Sequence, residues 1–357
     1  MANVQKRIPV AVLGATGMVG QRFIELLQGH PWFELVGLAA SEQRAGPAYG
    51  EVVQWRLPGG DMPTPVAGLP VVACKPGALP GEVKIVFSAL PGEVAGEVEA
   101  DFARAGVAVF SNAKNYRMEP DVPLLIPEVN ADHAGAIVEQ RRRRGWPGSI
   151  VTNANCSATP LVMALKPLQK AFGVRKVMVT TLQAISGAGY PGLPSYDILD
   201  NAIPYIGGEE EKVESETRKM LGDWSGGAGF SDAPVVVSAQ CNRVATREGH
   251  LECASVELER EVEAQEVIAA WEEYVPLSQE LQLPSAPQHA LVYRQERNRP
   301  QTLLDREAGG GMTVTLGRLR RCPILSYKFV LLGHNTIRGA AGGSILNAEL
   351  CVRQGLI

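Results

Sequence analysis

A short apolar run that feeds directly into spaced glycines constrains this chain more than any other feature. Ile8-Pro9-Val10-Ala11-Val12-Leu13 is followed at once by Gly14-Ala15-Thr16-Gly17-Met18-Val19-Gly20. Val19, Phe23, Leu26 and Leu27 then keep a helical period, and Leu35-Val36-Gly37-Leu38 forms the next strand. Strand, glycine turn, helix and strand in this order make a dinucleotide-binding unit. The glycines permit the tight turn and let backbone N–H groups approach a pyrophosphate at the helix N-terminus. Gly14 to Gly20 are therefore candidate cofactor contacts. The second strand ends in Ser41-Glu42-Gln43-Arg44, and a hydroxyl with a guanidinium suits a 2′-phosphate, which favours NADP. Glu42 keeps NAD open as the alternative, and a solvated loop residue is the alternative for Arg44.

The same grammar continues. Lys84 to Pro91 reads as a strand ending in the small residues Ser88 and Ala89, at the carboxyl edge where cofactors bind. A helix over 93–104, a strand at Val107-Ala108-Val109-Phe110 and a second loop over 111–118 follow, so a parallel doubly wound sheet is predicted to about residue 155. With 357 residues the chain exceeds what one core accommodates, and two domains are expected. Beyond Cys156 the pattern changes to β-rich runs at 174–185, 235–238 and 312–316, with helices over 209–221 and 264–274. The fold class is thus α/β, a Rossmann-type parallel sheet domain joined to a second, mixed α+β domain. The segments 224–229 and 283–287 read as loops, not interdomain linkers. Lys328 to Leu332, a glycine turn and a helix containing Ile345, Leu346 and Leu350 close the chain. That helix is expected to pack back on the first domain, giving domains of 1–155 with 334–357 and of 156–333.

Several function classes are disfavoured. A net charge of -4 with mixed signs leaves no footprint for nucleic acid or an anionic membrane, and Arg141 to Arg144 before Gly145 reads as a helix C-terminus facing solvent. The six cysteines show no Cys-x-x-Cys pair and no His/Cys cluster at metal spacing, so reduced thiols, a cytoplasmic location and no metal are expected. Lys6-Arg7 before the first apolar run faintly mimics a secretory signal, but the run is too short and leads into the glycine motif. No apolar run reaches transmembrane length.

One cysteine stands apart. Cys156, in Asn153-Ala154-Asn155-Cys156-Ser157-Ala158-Thr159-Pro160, joins a β-branched run (149–152) to Leu161, Val162, Leu165 and Leu168 at helical spacing. Pro160 supports a helix beginning near Ser157 or Thr159. At the positive end of a helix dipole a thiolate is favoured, and free N–H groups could hold an oxyanion. The ordinary role of a lone cysteine is a small buried hydrophobe. Among the five histidines His250 is the best proton shuttle, since it opens a strand-like segment after Gly249. Arg243 has the fork to grip a carboxylate or to make a surface salt bridge, and Glu209 and Lys212 share a helix face, which is ordinarily a solvated pair.

GATGMVG near the start, SNAKNYRMEPDVPLLIPEVN at 111–130, NANCSATP at 153–160, TLQAISGAG at 181–189, GGEEEK at 207–212 and RVATREGH at 243–250 together resemble the aspartate-semialdehyde dehydrogenase family, in its archaeal or fungal branch. The resemblance runs through nearly the whole chain in order. It implies Cys156 as nucleophile, His250 as general acid/base and Gln183 as the group that orients the bound acyl. It further implies Arg243 on the substrate α-carboxylate, Glu209 on its amino group, and Arg117 and Lys212 on phosphate, with Asn112 and Asn155 lining that site. The run of Glu209, Glu210 and Glu211 leaves that register open. Ser186, Gly187 and Gly189 would lie near the nicotinamide, and Asn335 would touch the cofactor. The implied reaction is NADP-dependent reductive dephosphorylation of 4-phospho-L-aspartate through a Cys156 thioester, by a homodimer or homotetramer. Malonyl-CoA reductase, N-acetyl-glutamyl-phosphate reductase and a non-catalytic dinucleotide sensor are the alternatives.

Overall fold

The computed structural model describes residues 7–357, so Lys6 lies outside the described residues. The predicted strand–turn–helix units pair into a first sheet whose neighbours are all parallel. Its strands are β1 (Ile8–Leu13), β2 (Phe33–Ala40), β3 (Val71–Ala73), β4 (Ile85–Ser88), β5 (Ala108–Ser111), β6 (Leu124–Leu125) and β7 (Ser149–Asn153). They lie in the order β3-β2-β1-β4-β5-β7-β6. Helices α1 (Met18–Leu26), α2 (Gly92–Arg104) and α3 (Ala136–Arg144) belong to this half. A parallel sheet is covered on both faces, so β1 has no solvent face. Val10 and Val12 enter one core with Phe23, Phe87 and Phe110, while Ala11 and Leu13 enter another with Val86, Phe102 and Val109. Arg141 to Arg144 form the last turn of α3, which Gly145 ends in the left-handed region. Arg142 and Arg143 pair with Glu139, and Arg144 with Asp121, so the run is engaged within the chain.

The second sheet is mixed. Its strands are β8 (Val174–Gln183), β9 (Ala202–Ile203), β12 (Val236–Val244), β13 (His250–Leu258), β14 (Leu291–Arg294), β15 (Val314–Arg321) and β16 (Tyr327–Gly333), in the order β14-β15-β16-β13-β8-β12-β9. The loop expected at 224–229 is the turn of a small separate hairpin, β10 (Asp223–Trp224) with β11 (Phe230–Ser231). Helices α4 (Ala158–Phe172), α5 (Glu209–Leu221) and α6 (Ala264–Glu272) share one core with the inward residues Val177, Val179, Val256 and Phe329. Successive residues of a strand face opposite ways. Met178 and Val236 accordingly point outward, 53% and 62% exposed.

After β16 the chain makes a π-helical turn, Ile337–Ala341, and enters α7 (Gly342–Arg353), whose Ile345, Leu346 and Leu350 lie in the core of the first sheet. No helix of the described residues is long and apolar enough to cross a membrane. The π turn is anchored by the Arg338 guanidinium, which donates to Glu128 at 2.6 Å with both side chains 1% exposed. Its purpose is visible at Gly339, where a Cβ would come within 2.8 Å of the Cys156 Cβ. Removing one member of a buried pair strands the other charge. Glu128→Ala is therefore expected to cost about 3–5 kcal/mol, seen as a lower thermal midpoint, and Glu128→Leu combined with Arg338→Met to recover most of it. Equal midpoints for wild type and Glu128→Ala would contradict this role.

Candidate functional site

The carboxyl edge of the first sheet faces the ends of β8 and β16 and the start of β13, and a cavity of about 660 Å³ opens between them. Cys156 lies on its wall, half-buried, between β7 and α4. Ser157 is the N-cap of α4, so the helix begins at Ala158, as the sequence suggested. The free N–H groups expected there are not free. Asn155 Oδ1 accepts from the Ser157 N–H at 2.8 Å and the Ala158 N–H at 3.0 Å, capping the helix itself.

His250 opens β13 and places Nε2 3.2 Å from Cys156 Sγ. Its Nδ1 accepts from the Ala184 N–H at 3.1 Å, so the proton of the neutral ring is assigned to Nε2 and aimed at the sulfur. Burial pushes the Cys156 thiol up to about 12, aided by the Glu209 charge and opposed by Arg117 and Arg243. Burial pushes His250 down to about 3, with Arg243 adding to it and Glu209 opposing. The expectation of a resting thiolate is thereby corrected. Burial favours the neutral form of both partners, the thiol of Cys156 and the uncharged ring of His250.

Charged groups surround this pair. Arg243, on β12, is 6% exposed and donates to the Ala184 carbonyl at 2.6 Å, which turns its fork into the cavity. Gly187 lies across it, where a Cβ would meet Arg243 Nη1 at 2.7 Å and His250 Nε2 at 3.3 Å. Of the three consecutive glutamates, Glu209 is the one in the cavity. It accepts from Asn155 Nδ2 at 2.8 Å and Lys212 Nζ at 3.0 Å. Burial raises its carboxyl, but these two partners outweigh it and hold the group below the usual range. Glu210 instead accepts from the Cys241 N–H, and Glu211 is exposed. Lys212, Arg117, Asn112 and Asn155 all line the cavity.

The cofactor candidates divide. Gly14, Thr16, Gly17, Ser41 and Ala89 line a second cavity of about 500 Å³. Met18, Arg44 and Arg56 line a neighbouring one of about 310 Å³ that also reaches Thr16 and Gly17. Val19, Ala89, Ser186, Gly187, Gly189 and Asn335 line the main cavity beside Cys156. Ala15 and Gly20 lie behind the turn, and Gly20 is needed for contact because a Cβ there would meet the Gly14 carbonyl oxygen at 2.3 Å. Asn335 staples two loops, accepting from the Gly249 N–H at 2.8 Å and donating to Ser186 Oγ at 2.8 Å. Glu42 is paired with Lys75 at 2.6 Å.

Two candidates do not line these cavities. Ser88 is fully buried and donates to Glu99 at 2.6 Å, facing the helix behind the sheet instead of a cavity. Gln183 is 1% exposed and donates to Thr181 Oγ1 at 3.2 Å, and like His250 it stands behind the residues that line the cavity. Other groups escaped the sequence reading. Thr336, Gly339 and Ala340 line the cavity, and Glu216 and Lys219 brace it from beneath. The spacing of Glu209, Lys212, Glu216 and Lys219 places all four on one face of α5 and was the available signal. Two of the remaining histidines are accounted for structurally, with His30 on Glu349 at 2.8 Å and His133 beside Asn130 at 2.9 Å, whereas buried His334 accepts from the Ile337 N–H at 3.3 Å and leaves Nε2 unpartnered 3.7 Å from Glu248.

Comparison with known proteins agrees with this geometry. The family model for the semialdehyde dehydrogenase NAD-binding domain matches residues 9–137, and that for the semialdehyde dehydrogenase dimerisation domain matches residues 165–338. The aspartate-semialdehyde dehydrogenase of Archaeoglobus fulgidus is 50% identical over 98% of this chain and 100% of its own length. That of Cryptococcus neoformans is 49% identical over 98% of each. The crystal structure of aspartate-semialdehyde dehydrogenase with NADP from Candida albicans superposes with a TM-score of 0.90 at 42% identity, covering 99% of this chain and 100% of that one. With a cysteine–histidine pair at the carboxyl edge of a dinucleotide fold, and with relatives of this identity along nearly its full length, the chain belongs to the aspartate-semialdehyde dehydrogenase family.

Proposed function

We propose that the chain catalyses the reversible NADP-dependent reductive dephosphorylation of 4-phospho-L-aspartate to L-aspartate 4-semialdehyde. The observation that carries this reading is the 3.2 Å contact between Cys156 Sγ and His250 Nε2, where Cys156 shares the wall of one cavity with Arg243, Glu209, Lys212 and Arg117. Such a set matches an amino-acid acyl phosphate. Arg243 suits the α-carboxylate, Glu209 the ammonium group, and Arg117 with Lys212 the phosphate, beside Asn112 and Asn155. Malonyl-CoA has no ammonium group for Glu209, and the acetylated amine of N-acetyl-glutamyl phosphate carries no charge for it.

The dinucleotide fold suits the cofactor on this chain's own geometry. Gly14 holds φ +74 where a Cβ would meet the Ala89 carbonyl oxygen at 2.6 Å, and α1 begins without a side-chain cap, which leaves its N-terminal donors for a pyrophosphate. Ser41 and Arg44 suit the 2′-phosphate, and Ser186, Gly187, Gly189 and Asn335 line the nicotinamide end of the groove. When bound, NADPH supplies the hydride. In the reductive direction the Cys156 sulfur attacks the acyl carbon and the carbon–sulfur bond forms as the bond from that carbon to the bridging oxygen breaks; the thiol proton is carried away by the departing phosphate. His250 Nε2–H stabilises the thiolate as it attacks and again as it departs, and serves as the proton donor or acceptor at the reacting carbon's oxygen.

We assign residues 1–155 with 334–357 to cofactor binding and 156–333 to catalysis and dimerisation. A second copy covering the outward face of the second sheet, where Met178 and Val236 are exposed, accounts for the homodimer, which in turn permits a tetramer. Six unpaired cysteines support a cytoplasmic location.

The direct test is NADPH formation from L-aspartate semialdehyde and NADP, with and without phosphate. Phosphate-dependent turnover that vanishes in Cys156→Ala is expected; no turnover by a folded, cofactor-binding wild type would reject the reading. For the cofactor, Arg44→Ala should raise the KM for NADP about tenfold, or about 1.4 kcal/mol, while leaving NAD kinetics unchanged. Equal effects on both cofactors would remove Arg44 from the 2′-phosphate site.

A further inference from the structure

The helix that carries Glu209 and Lys212 continues with two more buried charges on the same face. Glu216 is 2% exposed and divides its carboxylate between two partners. Oε1 accepts from Arg117 Nη1 at 2.9 Å, and Oε2 accepts from the Asn155 backbone N–H at 2.6 Å. Asn155 immediately precedes Cys156, and Arg117 lines the cavity. One turn further on, Lys219 Nζ donates to the carbonyls of Arg117, Glu119 and Val122 at 2.7, 2.8 and 3.0 Å. The loop bearing Arg117 is thus tied to α5 through two charged side chains, Glu216 and Lys219. Arg117 Nη2 donates to the Asn112 carbonyl at 2.9 Å, and its Nε is buried without a partner.

We propose that Glu216 is a positioning residue for the phosphate half of the reaction. Its single carboxylate fixes the guanidinium that receives phosphate and the backbone amide beside the nucleophile, so the two are held at a set separation. Nothing in the chemistry of Glu216 requires contact with substrate. With Nη1 held by Glu216 and Nη2 by the Asn112 carbonyl, the guanidinium is fixed in orientation, and its unpartnered Nε–H and the second proton of each Nη are the donors left for an anion. A carboxamide cannot replace it, because both partners are donors and Gln offers only one oxygen. The inference rests on the proposed role of Arg117 in binding phosphate.

The test compares Glu216→Gln, Glu216→Asp and Arg117→Lys with wild type in the phosphate-dependent oxidation of L-aspartate semialdehyde, with separate KM values for phosphate, aldehyde and NADP. Glu216→Gln should raise the phosphate KM at least about tenfold with aldehyde and NADP KM within about twofold of wild type. Glu216→Asp, which keeps the charge on a shorter arm, should fall between. An unchanged or lowered phosphate KM in both Glu216 variants, with Arg117→Lys raising it, would overturn the positioning role and leave the Arg117 assignment standing. No change in any of the three would overturn the Arg117 assignment and the inference with it. A proportionate rise in all three KM values would show a merely structural role and overturn the inference too. Should Glu216→Gln fail to fold, Glu216→Asp alone decides on the same criteria.

Discussion

The approach of Cys156 Sγ to His250 Nε2 organises the molecule, because these residues lie 94 apart in sequence and on different elements. Cys156 follows the strand of the first sheet that comes last along the chain, and His250 opens a central strand of the second. Each is located by polar contacts that cost folding energy unless all are made. Asn155 caps α4, Ala184 holds the imidazole tautomer, Asn335 fixes Gly249, and the Arg338–Glu128 pair brings the π turn against the cysteine. The glycines at 187 and 339 then decide how much room the sulfur has. A π turn beside a reacting group is a recurrent arrangement, and here its consequence is the close approach of backbone to Cys156.

Much of this was legible in the residues. The first sheet followed from the strand–glycine–helix unit because a two-face-buried strand and a tight glycine turn each leave a local signature. The start of α4 followed from Pro160 and the period of Leu161, Leu165 and Leu168. Strand β12 was only half visible: its middle, Ala239 to Asn242, alternates too weakly to extend the apolar stretch that precedes it, although pairing with β8 carries it to Val244. The pairing of Cys156 with His250 rested on family resemblance, since no local pattern reports a contact between distant segments.

What stayed hidden depends on side-chain direction. Ser88 ends a strand at the cofactor edge, yet its hydroxyl is satisfied by Glu99 on the far side of the sheet. Gln183 follows the β8 alternation inward, onto Thr181. The α5 stripe was the opposite case. Glu209 and Lys212 resemble a solvated pair until Glu216 and Lys219 are seen to extend the row into the protein, where each charge meets a specific partner.

The electrostatics of the resting site follow from the same packing. A cysteine next to a helix start is ordinarily expected to ionise, but here Asn155 has taken the helix donors and Glu209 adds a negative charge. A thiol kept protonated until substrate arrives is protected from oxidation and adventitious alkylation. The most direct measurement is the thiolate absorbance of the unliganded enzyme as a function of pH, taken as wild type minus Cys156→Ala. A neutral resting pair gives no thiolate signal up to about pH 9 and a rise only above it. A titration step near about pH 6 would mean a preformed thiolate–imidazolium pair and would contradict the account.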